Sequence, residues 1–492
     1  MTLSDFIFKD KKNRLYFWLA IGLSIFNLIL FKTGWLHPAG FGYATTGLIE
    51  EASTNASVGL WPIGYARVLA FFHWFTHSDT VVVGFQYFFL TGVLLYFFFT
   101  FHYFYGLAKN SFILLFIFLF FDPLFLYLAN YITADALFTG VSIWWVTQLL
   151  WVIHRPRPYH VFLQAGLIFA AFVLNYQAAW YPLIALAALL LSRQTLVLKI
   201  TGIVLPLLFM GLFFIYTRDA NYREVGLRRF SVFSAWREAN NALFFYPHVD
   251  IDHSQMPSEL IALDDSVQKV FKKNFKHLKE VTPINGLVYL ETPNTPLQHY
   301  LYPGDQGKLP GIDYKKWATV APLYEDYAHF LRTRYPWSYG RYYLLANTGR
   351  YFWPRVDKLA TFNMSQDTVN AITSAWFDYT QRGFINPDRR LGEVLIGGFS
   401  ALFPAVNLAI VVGLIWLIVV GEKKNYPRLF LGLTFALAFL VINAVANIWF
   451  APVMLEAVIT PLITAFSYLL LIYDCIEKKY KATLSSNIPP KM

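Results

Sequence analysis

The stretch TVVVGFQYFFLTGVLLYFFFTFH (80–102) decides the fold. None of its residues is Asp, Glu, Lys or Arg. At about 1.5 Å rise per residue, a helix of that length crosses the roughly 30 Å hydrocarbon layer of a bilayer. Runs of the same character recur at 15–32, 111–129, 137–154, 160–176, 178–192, 200–216, 399–420, 428–448 and 453–474, giving ten candidate spans. The fifth and sixth are short and share one turn, Asn175-Tyr176-Gln177. The composition agrees: 57% hydrophobic and 14% charged, against about 45–50% and 25% for soluble domains. A purely soluble chain and a disordered one are both excluded. The lone cysteine, Cys475, leaves no intramolecular disulfide, cysteine zinc site or iron–sulfur cluster to build.

The net charge is +10. Its placement points to membrane topology and away from nucleic acid, for which no motif is present. With a cytoplasmic N-terminus, sixteen basic residues fall inside, among them Lys9, Lys11, Lys12, Arg14, Lys109, Arg155, Arg157, Lys423, Lys424, Arg428 and Lys491. The short outer segments hold only Lys32 and Arg67. Both termini are therefore expected in the cytoplasm. The first run has no small-residue cleavage site after it and reads as a retained anchor. No internal repeat is evident, which argues against a secondary transporter.

Residues 217–398 interrupt the series. They carry 22 basic and 19 acidic side chains up to residue 395, enough length and polarity for an extracytoplasmic domain, compact and α-rich or mixed. The chain thus divides into 1–216 with about seven spans, 217–398 outside, and 399–492 with three spans and a cytoplasmic tail. Within the outer loop 33–79, WPIGYARVLAFFHWF (61–75) has the aromatic face of a helix lying in the membrane interface.

Three local patterns add a resemblance. They are GYATTGLIEEA with LWPIGYARVLAFFHWF (42–75), FFDPLFLYLANYITADALFTG (120–140) and GLIFAAFVLNYQAAWYPLIALAALLL (166–191). In this order, ahead of a large outer segment and three last spans, they resemble the GT-C superfamily of polytopic glycosyltransferases. They resemble in particular the branch of the protein O-mannosyltransferases and bacterial aminoarabinose transferases. The resemblance implies a periplasmic domain on an inner-membrane protein. It also implies a polyprenyl-phosphate-linked sugar as donor and an acid before the next span, which Asp135 matches. The acid that such enzymes place before the first-loop tyrosine is absent: Pro38, Ala39, Gly40 and Phe41 precede Tyr43. Glu50 and Glu51, two helical turns later, are the nearest replacements. The arginine common in the third pattern is replaced by Asn175 or Tyr176, and Glu456 stands where relatives often have Arg-Tyr. An alternative therefore stands beside the enzyme: a GT-C-like scaffold or accessory subunit of an envelope protein complex, without catalysis.

The chemistry needs a carboxylate to take the acceptor's proton and cations to receive the departing phosphate. Asp135, Glu50 and Glu51 are the catalytic candidates. Asp135 also reads as a helix N-cap, and Glu50 and Glu51 as a solvated helix face. Tyr43, Tyr65, Arg67, Asp122 and Glu456 are the membrane-side candidates for substrate. Asp122, before Pro123, equally reads as a helix end, and Glu456 as half of an ion pair. In FLRTRYPWSYGRYYLLANTGRYFWPR (330–355), Arg332, Arg334, Arg341, Arg350 and Arg355 lie among aromatics, a composition suited to phosphate, glycan or lipid headgroups. No cofactor is firmly implied. A divalent metal has two weak candidate sites, His73 and His77 with Asp79, and His248 with Asp250 and Asp252. P-loop, GxSxG, HExxH and dinucleotide-binding motifs are absent. Asn55 and Asn363 fit the glycosylation acceptor pattern.

Overall fold

The computed structural model describes residues 1–34, 38–40, 43–273, 280–283, 286–291, 295–303, 313–354, 356, 368–380, 383, 389–419 and 426–486. Among them every regular element is helical, and the only β contacts are two isolated bridges, Ala39 with Tyr131 and Thr368 with Gly383. The chain is an α-helical polytopic membrane protein.

It begins with α1 (Leu3–Phe8) and α2 (Lys11–Gly34), then α3 (Tyr43–Ser53) and α4 (Ile63–His73) in the first loop. The bundle continues with α5 (Asp79–Tyr105), α6 (Lys109–Phe120), α7 (Leu124–Ala129), α8 (Asp135–His154), α9 (Pro158–Leu174), α10 (Tyr181–Leu191) and α11 (Leu196–Val225). Eight helices among the described residues are long and apolar enough to cross a membrane. The short fifth and sixth runs of the sequence are α9 and the segment Tyr176–Leu191, below that length. The two pack with one face on the bundle, α9 on α8 and α11, α10 on α8 and α11. The third run is divided at Asp122-Pro123 between α6 and α7, because proline supplies no N–H to continue the helix.

Burial sorts the helices. The apolar window of α8 is 94% buried, whereas those of α2 and α11 are 17% buried. So α8 forms the centre of the bundle, and α2 and α11 present their apolar residues to lipid. Trp145 of α8 stacks on Tyr181 of α10 at 4.2 Å, and Ser142 and the Tyr181 hydroxyl share a hydrogen bond of 2.7 Å.

Beyond α11 a second apolar core caps one end of the bundle. Its helices are α12 (Val232–Leu243), α13 (Ser258–Lys273), α14 (Val288–Glu291), α15 (Pro296–Leu301) and α16 (Tyr314–Arg334). Trp236 of α12 stacks on Trp317 of α16 at 4.0 Å and donates through Nε1 to its carbonyl. Next comes α17, the helical stretch 336–352, in which a π-helical turn, Tyr339–Leu344, separates Pro336–Ser338 from Leu345–Phe352. After it the polar segment leaves this core. Tyr351 and Val356 join the bundle core, and Phe377, just after α18 (Ala371–Trp376), packs with Leu48, Ile49 and Tyr65 of the first loop. The segment 217–398 is thus a core over 232–343 whose later part returns to the bundle. The last helices are α19 (Arg389–Val419), α20 (Pro427–Phe450) and α21 (Glu456–Ser486).

Candidate functional site

The capped end of the bundle is built by tying two loops together. Ala39 N–H donates to the Asn130 carbonyl at 2.9 Å, Ile132 N–H returns to the Ala39 carbonyl at 3.0 Å, and Thr45 Oγ1 donates to the Ile132 carbonyl. α4 then lies against α9 so closely that a Cβ on Gly64 would meet the Val173 carbonyl oxygen at 2.5 Å. Tyr65 is fully buried there and donates to Gln86 Oε1 at 2.7 Å; Gln86 Nε2 donates in turn to the Ala129 and Tyr131 carbonyls. Burial, then the nearby Asp135 carboxylate, push the Tyr65 hydroxyl well above its ordinary pKa. Asp135 is the first residue of α8, with Ala134 at the cap position. The expected N-cap is thereby corrected: the carboxylate stands in the first turn, where it complements the helix dipole. Thr133 Oγ1 donates to its Oδ2 at 2.9 Å.

Glu51 turns inward from α3. Its Oε1 accepts the Leu60 N–H at 2.9 Å, while Oε2 is buried without a hydrogen-bond partner. Burial pushes its pKa up to about 8. Glu50 is half-buried, and burial raises its pKa too. The reading of both as a solvated face is corrected for Glu51.

Glu51 adjoins a pocket of about 560 Å³ lined by the turn 228–231 after α11 and the start of α12. Leu60 and Tyr176 belong to the pocket wall; the first is hydrogen-bonded to Glu51 and the second lies within reach of its charge. Tyr314, hydrogen-bonded to Asn221, also senses Glu51, which with burial pushes its hydroxyl pKa up. Three arginines line the pocket: Arg228, Arg229 and Arg237. Arg229 pairs with Glu325. Among the described residues no carboxylate lies within ion-pair distance of Arg228 or Arg237. Arg237 Nε is buried without a hydrogen-bond partner, and burial lowers the pKa of its guanidinium. Phe214 of the lipid-facing α11 and Phe230 give the pocket an apolar side. The geometry offers an anion site next to a carboxyl group, with an apolar approach from the bundle surface.

These arginines were not among the residues singled out from sequence. The available signal was GLRRF (226–230) directly after an apolar run. The expected arginines lie elsewhere. Arg332 stands 3.6 Å from Glu238 in a smaller pocket of about 210 Å³ beside Tyr339 and Trp449. Arg334 and Arg341 are exposed, Arg341 over the Tyr342 ring at 5.4 Å. Arg350 is buried and donates to the Val453 carbonyl and, at 2.7 Å, to that of Pro283. Arg67 donates to the Ala56 and Asn55 carbonyls and so closes the loop before α4. Asp122 accepts the Leu124 N–H at the start of α7, as a helix end does. Glu456 is buried in the first turn of α21. The Tyr43 side chain, Arg355, Asn363, Lys423, Lys424 and Lys491 lie outside the described residues.

Among the described residues no three His, Cys, Asp or Glu side chains are grouped to hold a metal ion. His73 stacks between His77 and Trp376, at 4.2 and 3.7 Å, and His77 pairs with Asp378. Asp79 faces Tyr379, at 2.9 Å, and Lys32, at 3.7 Å. His248 stacks on Tyr342, and Asp252 caps the short turn His253–Gln255. No protein-family model, curated protein or solved structure matches the chain.

Proposed function

We propose that this protein is a GT-C-like glycosyltransferase of the cytoplasmic membrane, working on the periplasmic side, where residues 217–398 would lie. It would take a sugar from a polyprenyl-phosphate-linked donor and transfer it to an envelope acceptor. The observation that carries the reading is the arginine-lined pocket at the end of a membrane helix, with the Glu51 carboxyl against its wall. In this proposal an acceptor hydroxyl or amine attacks the anomeric carbon. The bond from that carbon to the phosphate oxygen breaks, and its electron pair leaves with the phosphate. Glu51 takes the acceptor's proton, and Arg228, Arg229 and Arg237 receive the phosphate charge. Phe214 and Phe230 suit the lipid end of the donor. Asp135, the acid to which the resemblance points, does not line the pocket and stands second to Glu51 as base.

The test is an envelope-glycan profile resolved by mass, in wild type, a deletion strain and deletions complemented with Glu51→Gln or Asp135→Asn. A glycan lost on deletion and not restored by Glu51→Gln at normal protein level supports the reading. Full restoration by both variants removes it. The alternative, a scaffold without catalysis, is favoured by the absent first-loop acid; restoration by both variants together with stable co-purification of envelope proteins selects it.

A further inference from the structure

Helix α17 carries an exposed stripe with the wrong chemistry for water. Trp337 is 90% exposed, Leu345 68% and Phe352 41%, and Trp353, just past the helix, is 58% exposed. Trp337, Arg341, Leu345 and Phe352 are all exposed while Tyr339, Tyr343, Asn347, Arg350 and Tyr351 between them are buried, so the exposed residues share one side of the helix. The opposite face is buried and fastened. Asn347 Nδ2 donates to the Ile448 carbonyl at 2.8 Å and the Ala451 carbonyl at 2.6 Å, and its Oδ1 accepts the Val453 N–H at 3.0 Å. Arg350 adds a bond to the Val453 carbonyl. These carbonyls mark the end of α20, whose span closes at Phe450. The helix is therefore held at the level where α20 leaves the membrane.

The lipid-facing side of α20 runs into the same place. Val441, Val445 and Trp449, spaced by four, are all exposed, and Tyr339 of α17 meets the Trp449 carbonyl. A lipid-facing stripe that ends in tryptophan marks a bilayer interface, and the exposed face of α17 continues it. Arg341 within the stripe and Arg334 just before it place cations where headgroup phosphates lie, with their stems along apolar surface.

We infer that α17 lies in the headgroup layer of the leaflet at the capped end, with Trp337, Leu345, Phe352 and Trp353 inserted among lipids. The second core is thus anchored to the membrane surface by its own amphipathic helix as well as through α11 and α20. This does not depend on the glycosyl-transfer reading. A partner protein or a second copy of the chain covering the same face is the competing occupant.

The experiment is depth-dependent quenching in nanodiscs containing anionic lipid. Cys475, the natural cysteine, is buried; in a Cys475→Ser background, Leu345→Cys, Val445→Cys and Thr319→Cys are labelled with one fluorophore. Val445 reports the lipid-facing side of α20 and Thr319 an exposed site on α16. The label at 345 should be quenched by brominated lipid at least twofold more than that at 319, and be shielded from aqueous iodide. Iodide quenching equal to that at 319 overturns the inference. Shielding from both quenchers also overturns it and points to a protein occupant. If the Cys475→Ser background does not fold, Trp337→Phe in the otherwise natural chain replaces it. This variant should lower the share of tryptophan emission that brominated lipid quenches, and an unchanged share overturns the inference.

Discussion

A Cβ placed on Gly59 would lie 2.0 Å from Glu51 Oε1. The backbone at Gly59 and the Glu51 carboxyl occupy adjoining space, and the next N–H, that of Leu60, is the one Oε1 accepts. Gly59 is therefore needed for closeness, and the carboxyl position depends on it. Gly59→Ala should displace Glu51 and lower transfer at least tenfold, about 1.4 kcal/mol in barrier, if Glu51 is the base. In the Glu51→Gln background the same change should add little, because the two act through one group. Rates of the two single variants and the double variant, at matched protein level, check it.

The Glu51 pKa of about 8 sets the direction of two pH effects. A base must be ionised, so transfer should rise with pH and reach half its plateau near pH 8; Glu51→Gln should have no such limb. Stability goes the other way. The folded pKa lies above the ordinary 4.5, so between the two values the folded state holds a proton that the unfolded state has released. That contribution is fully present below about pH 4.5 and is lost as pH rises through 8. The wild-type melting temperature should fall across that window more than that of Glu51→Gln. Equal slopes would contradict the assignment.

Arg237 is half-buried, with its Nε buried and without a hydrogen-bond partner, which costs stability unless a ligand answers it. Arg237→Met should therefore leave the melting temperature unchanged or raise it, while KM for a lipid-phosphate donor rises severalfold or more. Thermal unfolding and initial rates on the same purified protein separate the two effects. A variant that melts earlier, with KM unchanged, assigns Arg237 to packing.

The membrane bundle was legible because apolar length is a strong local signal, and the run 80–102 falls within α5. The break at Asp122-Pro123 was legible for an equally local reason, the missing proline N–H. The shortness of 160–176 and 178–192 could be read, but not that they would pack beside α8, since that depends on distant partners. The candidate site was only half legible. Glu50, Glu51 and Asp135 stood out as acids near apolar runs, yet which of them turns inward is decided by the backbone N–H of Leu60, nine residues from Glu51. Arg228 and Arg237 lie nine residues apart in sequence, and only the fold of the 228–231 turn onto the start of α12 sets them on one pocket. In the opposite sense, the aromatic-arginine stretch 330–355 drew notice by composition, and composition does not distinguish an arginine that binds a ligand from one that holds a backbone turn.

Asp264 anchors the second core. Fully buried, it accepts from the Tyr246 and Tyr327 hydroxyls, at 3.0 and 2.6 Å, and faces His253 Nε2 at 2.6 Å. Asp264→Ala leaves two buried hydroxyls without an acceptor and should cost about 3–5 kcal/mol. His253→Ala, at a half-buried position, should cost less. Proteolysis between α12 and α16 under native conditions measures this locally. Cleavage that is no faster in Asp264→Ala than in wild type contradicts the role.

Arg350 decides between two meanings of one residue. Its place in the aromatic-arginine stretch suggested a phosphate contact, but its Nε and Nη1 are spent on the Val453 and Pro283 carbonyls, at a junction between α17, the α20–α21 turn and the segment 280–283. A guanidinium reaches two carbonyls at once through its planar fork, whereas a lysine ammonium has a shorter reach and no fork. Arg350→Lys should therefore keep the charge and still lose the junction. The expected result is a lower melting temperature and less protein in the membrane, with KM for any lipid-phosphate donor unchanged in what remains. The opposite pattern, normal protein level with a raised KM, would return Arg350 to the substrate and make the two carbonyl bonds incidental.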